Sequence, residues 1–151
     1  ASLHDKLMVL GGEAIVEALP LLEQGKLGPR KQEDALSCYA HLIDKTMGEL
    51  DFTKSAEILD RLIRGLNPWP SAYTTYHGKQ LKVWEAEPVK SSKAGKPGEI
   101  LAVEKDAVLV AAGSGALRIT SLQLSGKKRM SAHDFLLGVR MTPGEILGCE
   151  E

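Results

Sequence analysis

The chain has 151 residues, of which 43% are hydrophobic and 26% are charged, and these values are ordinary for a globular protein. No stretch approaches the roughly 18 consecutive apolar residues that a membrane-spanning helix requires, and the first residues lack the features of a secretory signal peptide. We therefore expect a cytoplasmic protein with no membrane partner. Because the chain does not begin with Met, we also expect a fragment or a processed product.

Cysteine usage indicates the redox compartment of the protein, and the charge distribution indicates the kind of partner that it could bind. Cys38 and Cys149 lack the close spacing of metal ligands, so we expect two free thiols in a reducing compartment. The formal charge is −3 over residues 1–68 and +2 over residues 69–151. A modestly basic second half is compatible with a polyanionic partner but does not require one.

The first predicted element is a long amphipathic helix. Ser2 can cap its start, and apolar side chains follow at spacings of three and four residues. This stripe consists of Leu3, Leu7, Leu10, Ala14, Ala18 and Leu21. The glycines at residues 11–12 and Pro20 interrupt it, so we expect a kink or two abutting helices. Gly25 is suited to end the helix.

The next segment, residues 27–42, is only weakly patterned. Residues 36–39 are compatible with a short strand, and residues 44–51 have the composition of a polar loop. The carboxylates in that loop belong to Asp44, Glu49 and Asp51. They could form an acid–base pair, but a solvated loop is the simpler interpretation.

The stretch over residues 57–73 organises the rest of the chain. Apolar residues on one face of a predicted helix are Ile58, Leu59, Leu62, Ile63 and Leu66. Thr53 or Ser55 can cap this helix, with Glu57 placed to complete a capping box. Pro68 ends the helix at or before Asn67, because a proline disfavours helical backbone in the residue before it. Beyond this corner the apolar spacing becomes that of strands.

Five short strands and one late helix are predicted after the corner. A hairpin joins residues 71–76 to residues 80–86 through a turn at His77 and Gly78. The remaining strands are predicted at residues 99–103, 107–112 and 116–124. Ser131 can cap the helix that follows. Strands of this length and spacing favour a small closed or nearly closed barrel, because closure removes unpaired sheet edges.

Few features indicate catalysis or metal binding. The histidines lie far apart in the sequence, at His4, His41, His77 and His133. Residues 113–115 are too short for a phosphate-binding loop and are typical of a turn between strands. The sequence contains no nucleophile elbow, Walker loop or dinucleotide-binding motif. We therefore expect no metal site, and we find no candidate catalytic residue.

Basic residues cluster in the predicted turns of the second half. One group comprises Lys79 and Lys82 in the hairpin, with Lys90, Lys93 and Lys96 in the loop after it. The other comprises Lys127, Lys128 and Arg129 in a late turn. If a barrel brings these turns to one side, they form a surface for phosphates. Solubilising turns are the alternative. Trp84 and Tyr76 are expected to pack rather than to stack on bases.

Several segments together resemble the bacterial methionyl-tRNA formyltransferases. They are LHDKL near the start, LDRLIRGLNPWPSAY at the corner, GKQLKVWEA, GKPGEIL and LQLSGKKRMSAHDFLLG, in the order that the family has them. The resemblance covers nearly the whole chain but only the C-terminal half of the family. It implies an α+β fold. Residues 1–68 would be the C-terminal helices of a Rossmann-like formyltransferase domain plus a linker, and residues 69–151 an OB-like antiparallel barrel that binds tRNA.

The resemblance also implies an activity for the parent protein, in translation initiation. Such an enzyme transfers a formyl group from 10-formyltetrahydrofolate to the α-amino group of methionine on initiator tRNA. The family's catalytic Asn, His and Asp precede the matched segment, so this chain alone is expected to be inactive and to bind no formyl donor. The implied tRNA-binding residues are Lys79, Lys82, Lys127, Lys128 and Arg129. The implied domain junction comprises Arg64, Asn67, Pro68, Trp69 and Pro70.

Three alternatives remain open. A sugar-nucleotide formyltransferase shares the fold class but has little use for the GKKRM turn, because its acceptor has no long phosphate backbone. A free-standing RNA-binding barrel does not explain the long apolar stripe, which needs a surface to cover it. A structural fragment without activity is the third.

In this chain Leu42 stands where the family usually has a basic residue. An uncovered stripe is also expected to drive self-association.

Overall fold

The structure is a computed structural model, and it describes residues 2–91 and 95–148. The chain forms two compact units, Ala1–Leu42 and Ile43–Glu151. This division lies earlier in the chain than the predicted boundary at residue 68, because the helix before the corner packs on the sheet of the second unit. Lys93 and Cys149 lie outside the described residues. Among the described residues, no helix combines the length and apolar character needed to cross a membrane.

The first unit contains one long helix, α1 (Ser2–Glu23). The predicted division into two helices is not observed, because the helix continues through both glycines and Pro20, whose carbonyl accepts a 3.1 Å hydrogen bond from the Gln24 amide. Gly25 ends it with a φ of +66°, and the Lys26 amide donates to the Leu21 carbonyl at 2.9 Å. None of the described residues of α1 is buried.

The prediction of a strand at residues 36–39 is wrong. Residues Asp34–Leu36 instead form a single turn of 3₁₀ helix, and the Ser37 hydroxyl donates to the Asp34 carbonyl at 2.8 Å. Leu36 and Tyr39 are more than four-fifths exposed. A short apolar run becomes a strand only where a neighbouring strand supplies hydrogen bonds. No described strand pairs with residues 36–39.

The second unit begins with a loop and α2 (Ala56–Gly65), the helix predicted before the corner. The side chain of Ser55 caps it by accepting from the Ile58 amide. Leu59 and Ile63 are each only 1% exposed, and α2 packs mainly on β2 (Lys79–Val89). The helix ends before Asn67, as the proline that follows requires. The predicted helix, its cap by Ser55 and its end before Asn67 are all confirmed.

Among the described residues of the second unit, six strands form an antiparallel sheet. Besides β2, the strands are β1 (Ala72–Tyr76), β3 (Ile100–Val103), β4 (Val108–Ala111), β5 (Ala116–Leu124) and β6 (Met130–Ser131). Their order is β1-β2-β5-β4-β3, and β6 pairs with β5. A short helix, α3 (Ala132–Gly138), follows, and the Ser131 side chain accepts from the Asp134 amide to cap it. The five predicted strands and the late helix are confirmed, whereas β6 was missed.

Residues 145–148 lie between the two ends of this strand order. The Ile100 amide, at the start of β3, donates to the Glu145 carbonyl at 2.8 Å. The Gly148 amide donates to the Thr75 carbonyl of β1 at 2.9 Å. Tyr76 donates its hydroxyl to the Glu145 carboxylate at 3.0 Å, and burial together with this contact raises the pKa of Tyr76 to about 12. The segment therefore fastens both edge strands.

The larger of two hydrophobic clusters among the described residues lies between α2, α3 and the inner face of the sheet. Its largest fully buried side chains include Leu59, Ile63, Leu81, Ile100, Leu117, Ile119 and Leu122. Fully burying a side chain of this size contributes about 1.5–3 kcal/mol. The core therefore supports the β2–β5 pair, which carries Lys79 and Lys82 and leads directly into the basic turn of residues 125–129.

Candidate nucleic-acid interface

The hairpin lysines and the late basic turn lie at one end of the β2–β5 pair. Leu81 of β2 pairs with Leu124 of β5, and the Ser125 amide donates to the Gln80 carbonyl at 2.9 Å. These contacts seat the turn of residues 125–129 beside the start of β2. The basic side chains placed near one another in this way are Lys79, Lys82, Lys127, Lys128 and Arg129. We call this set the basic end of the sheet.

The loop lysines after β2 do not join them. Lys90 and Lys96 follow Val89, which pairs with Ala116 at the opposite end of β5. A strand of 11 residues extends on the order of 30 Å at about 3.3 Å per residue. The idea that all the predicted basic turns converge on one side is therefore wrong for these two residues, because β2 is longer than its predicted span of residues 80–86.

An acidic cluster occupies the outer face of the same strand pair, nearer its other end. Arg118 of β5 lies opposite Glu87 of β2 and contacts it at 3.0 Å. The same guanidinium reaches Glu104 at 2.9 Å and Asp106 at 2.8 Å. Hydrogen bonds to these carboxylates raise the pKa of Arg118. Three carboxylates around one arginine leave a net negative charge, so the strand pair is electrostatically polarised along its length.

Trp84 lies close to two cations of the basic end. It is the extra residue of a β-bulge, because Val83 pairs with Leu122 and Glu85 with Ser121. Its ring is half-buried on the outer face of the sheet, with the Lys82 ammonium 5.7 Å and the Arg129 guanidinium 5.2 Å from the ring centre. Cations at this distance are attracted by the ring face.

Gln123 connects Trp84 to the turn. The indole N–H of Trp84 donates to the Gln123 side-chain carbonyl at 3.0 Å, and the Gln123 amide nitrogen donates to the Lys127 carbonyl at 2.9 Å. Sequence reasoning missed this residue. The available signal was its place in β5, where it alternates with the buried Leu122 and therefore faces outward.

The three cations of the turn differ in their contacts. Arg129 donates from Nε to the Ser121 hydroxyl at 3.1 Å and from Nη2 to the Glu85 carboxylate. Lys127 and Lys128 are exposed, and neither ammonium has an ion-pair partner among the described residues. The turn thus presents two available positive charges and one that is held internally.

One of the predicted junction residues contacts this site. Asn67 donates its side-chain amide to the Trp84 carbonyl at 3.2 Å, which ties the corner to β2. Trp69 is 59% exposed, and the peptide bonds before Pro68 and Pro70 are cis. Arg64 contacts Asp60 one helical turn away at 2.9 Å. Whether this group contacts a further domain stays a prediction.

The remaining candidate groups make local contacts. His4 lies 3.2 Å from Asp5 on the surface of α1, and His77 lies 3.9 Å from Glu145. Asp44 accepts from the Thr46 amide at 2.7 Å, and hydrogen bonds from Thr46 lower the pKa of this carboxyl. In the part of the chain that the structure describes, no three His, Cys, Asp or Glu side chains are grouped to hold a metal ion.

Comparison with known proteins identifies the family. The sequence profile of the family described as formyl transferase, C-terminal domain, matches residues 42–140. A methionyl-tRNA formyltransferase of Geobacter metallireducens is 49% identical over 147 residues, which cover 97% of this chain and 47% of that protein. The one from Citrifermentans bemidjiense is 45% identical over 97% of this chain and 46% of its own length. The chain thus spans about half the length of the curated relatives it matches.

Solved structures with a similar fold include HypX. A HypX variant from Aquifex aeolicus superposes with a TM-score of 0.58 at 25% identity, covering 84% of this chain and 24% of that protein. HypX from the same organism, in complex with tetrahydrofolic acid, gives a TM-score of 0.59 at 24% identity, covering 82% of this chain and 22% of HypX. The predicted resemblance is confirmed: this chain belongs to the formyl transferase C-terminal domain family.

Proposed function

We propose that this chain is the tRNA-binding, C-terminal half of a methionyl-tRNA formyltransferase. The complete enzyme transfers a formyl group from 10-formyltetrahydrofolate to the α-amino group of methionine on initiator tRNA, in the cytoplasm. The observation that carries the proposal is the 45–49% identity to proteins of that name over 97% of this chain. Their name implies a tRNA substrate, and the basic end of the sheet offers a surface for its phosphates.

The two units have different parts in this proposal. The first unit provides the C-terminal helices of the Rossmann-like catalytic domain and a linker, and the second is an OB-like tRNA-binding domain. The exposed apolar side of α1 supports the first assignment, because such a stripe needs a covering surface. The antiparallel strands, with a terminal segment bonded to both edge strands, support the second.

The tRNA contacts are assigned to the basic end of the sheet, formed by Lys79, Lys82, Lys127, Lys128 and Arg129. Converging cations bind a phosphate backbone by releasing its counterions, without reading base sequence. The acidic cluster around Arg118 repels phosphates, so it favours one end of the strand pair over the other. The junction residues from Arg64 to Pro70 hold this domain against the catalytic domain.

The formyl donor is assigned to a part of the enzyme outside this chain. The matched profile is that of the C-terminal domain alone, and the chain spans about half of its relatives. The HypX complex with tetrahydrofolic acid is consistent with folate chemistry in proteins that contain this fold. What this chain contributes to the reaction is orientation, because holding the tRNA fixes the methionyl amine relative to the formyl group.

A formylation assay tests the proposal. The complete protein, supplied with 10-formyltetrahydrofolate and methionyl initiator tRNA, is expected to form formylmethionyl-tRNA, whereas the purified chain alone is expected to give only the uncatalysed background. Turnover by the chain alone would refute the division of labour. A complete protein that formylates a sugar nucleotide but not methionyl-tRNA would instead favour the alternative formyltransferase class.

A further inference from the structure

The cations of the basic end do not have equivalent roles. Lys127 and Lys128 are exposed, and their ammonium groups have no ion-pair partner among the residues that the structure describes. Arg129, the third cation of the turn, directs its guanidinium back onto the sheet. A cation that is occupied in this way is poorly placed for a phosphate outside the turn.

The Arg129 guanidinium is held from three directions. Nε donates to the Ser121 hydroxyl at 3.1 Å, Nη2 donates to the Glu85 carboxylate, and the group lies 5.2 Å from the centre of the Trp84 ring. Glu85 and Ser121 face each other across the strands because of the bulge at Trp84. A planar group with donors in fixed directions fits this arrangement, whereas a lysine ammonium cannot reproduce it.

A second link holds the middle of the turn. Gln123 accepts from the Trp84 indole at 3.0 Å and donates to the Lys127 carbonyl at 2.9 Å. The Lys127 amide in turn donates to the Leu124 carbonyl at 2.9 Å. Both backbone groups of Lys127 are therefore bonded to β5, and Trp84 orients the Gln123 side chain that makes one of these two bonds.

We propose that Arg129 and Gln123 are positioning residues, which hold the turn of residues 125–129 so that Lys127 and Lys128 face the phosphate backbone of tRNA. Glu85 and Trp84 complete this frame. The inference rests on the proposed function, because it assigns roles within the tRNA surface proposed above. It refines the assignment above and differs from the sequence-based expectation that all three cations of the turn contact phosphate, because Arg129 then holds the turn and does not itself contact tRNA.

The sign of one substitution separates the two roles. Glu85→Gln removes a negative charge near the phosphates, so simple electrostatics predicts equal or tighter binding of tRNA. If Glu85 instead holds Arg129 and thereby the turn, the same change weakens binding. Glu87→Gln is the matched control. It makes the same chemical change on the same strand, but Glu87 contacts Arg118 and not the turn.

The experiment measures initiator tRNA binding by the complete protein as a function of salt. Glu85→Gln and Arg129→Lys are each expected to weaken binding by about two- to fivefold, the range for a surface ion pair worth up to about 1 kcal/mol. Glu87→Gln is expected to bind as tightly as the parent or slightly more so. Arg129→Lys retains the positive charge, so it tests the geometry of the guanidinium alone. If either Arg129→Lys or Glu85→Gln binds tRNA as tightly as the parent protein, the positioning role is overturned.

Amide exchange in the tRNA-free protein provides the second measurement. Glu85→Gln and Gln123→Leu are expected to speed exchange at Lys127 and Lys128, and Glu87→Gln is not. Unchanged exchange overturns the proposed frame. The double variant Lys127→Ala/Lys128→Ala tests the proposed function separately. If it binds tRNA like the parent protein, the tRNA surface itself lies elsewhere. If it binds weakly while Glu85→Gln binds normally, only the positioning role fails.

Discussion

Helices α1 and α2 were predicted from the same kind of pattern, yet they differ in what they bury. In α2, Leu59 and Ile63 are 1% exposed and pack in the core of the second unit. In α1, Leu7 is 58% exposed and Leu10 is 57% exposed, and none of its described residues is buried. An apolar stripe therefore shows that a helix has a partner surface, but not that the surface belongs to the same stretch of chain.

This difference has an energetic consequence. Each large side chain buried by α2 contributes about 1.5–3 kcal/mol to the stability of the second unit. The corresponding side chains of α1 contribute little in this chain, since they remain in contact with water. We propose that their covering surface is in the part of the formyltransferase relatives that this chain does not span, which amounts to about half of their length.

The largest expected effect compares two leucines. Leu59→Ala in α2 should lower the free energy of unfolding by about 2–5 kcal/mol, because it leaves a cavity in a packed core. Leu10→Ala in α1 should change it by less than about 0.5 kcal/mol, as expected for an exposed site. Urea denaturation followed by circular dichroism measures both. Equal losses would show that α1 is as well packed as α2.

Two serines provide a smaller contrast. Ser55→Ala should lower the free energy of unfolding by about 1 kcal/mol, since its side chain accepts from the Ile58 amide at the start of α2. Ser37→Ala, in the first unit, removes only a hydrogen bond between exposed groups. Its unfolding midpoint in urea should match that of the parent chain. A larger loss for Ser37→Ala than for Ser55→Ala would contradict the comparison.

Substitutions of exposed apolar residues in α1 should change self-association of the chain without changing its stability. Leu7→Gln combined with Val16→Gln should reduce self-association of the chain, because both side chains are exposed and apolar. The free energy of unfolding should stay within about 0.5 kcal/mol of the parent value. Sedimentation velocity over a range of concentrations provides the measurement, with Glu13→Gln as a control on the same helix. A parent chain that is monomeric at all concentrations would refute this expectation.

Much of the fold could be predicted because local rules decide it. Pro68 limits the end of α2, and the turn at His77 and Gly78 joins the first hairpin. The alternation of apolar and polar residues marks the long strands. The short strand β6 was missed, since two residues carry no period and their pairing depends on β5. The division into compact units at residues 42 and 43 could not be predicted, because the packing of α2 on β2 depends on contacts distant in sequence. The domain boundary at residue 68 stays a prediction.

The candidate site was predictable as a set of charges but not as an arrangement. The cluster of residues 127–129 and the hairpin lysines are visible in the sequence. The internal contacts of Arg129 are not, because they depend on a bulge that brings Glu85 opposite Ser121. The separation of Lys90 from the turn likewise depends on the length of β2. Register, rather than composition, decides which cations act together.

The salt dependence of tRNA binding tests the central claim most directly. In the complete protein, Lys127→Ala/Lys128→Ala should weaken binding of initiator tRNA and of other tRNAs by similar factors. It should also make the slope of log K against log salt shallower by about 0.7–0.9 per lost phosphate contact. Lys54→Ala/Lys105→Ala, which removes two exposed lysines outside the turn, should leave the slope unchanged. Equal slopes for both double variants and the parent protein would contradict the assignment of this sheet end to tRNA.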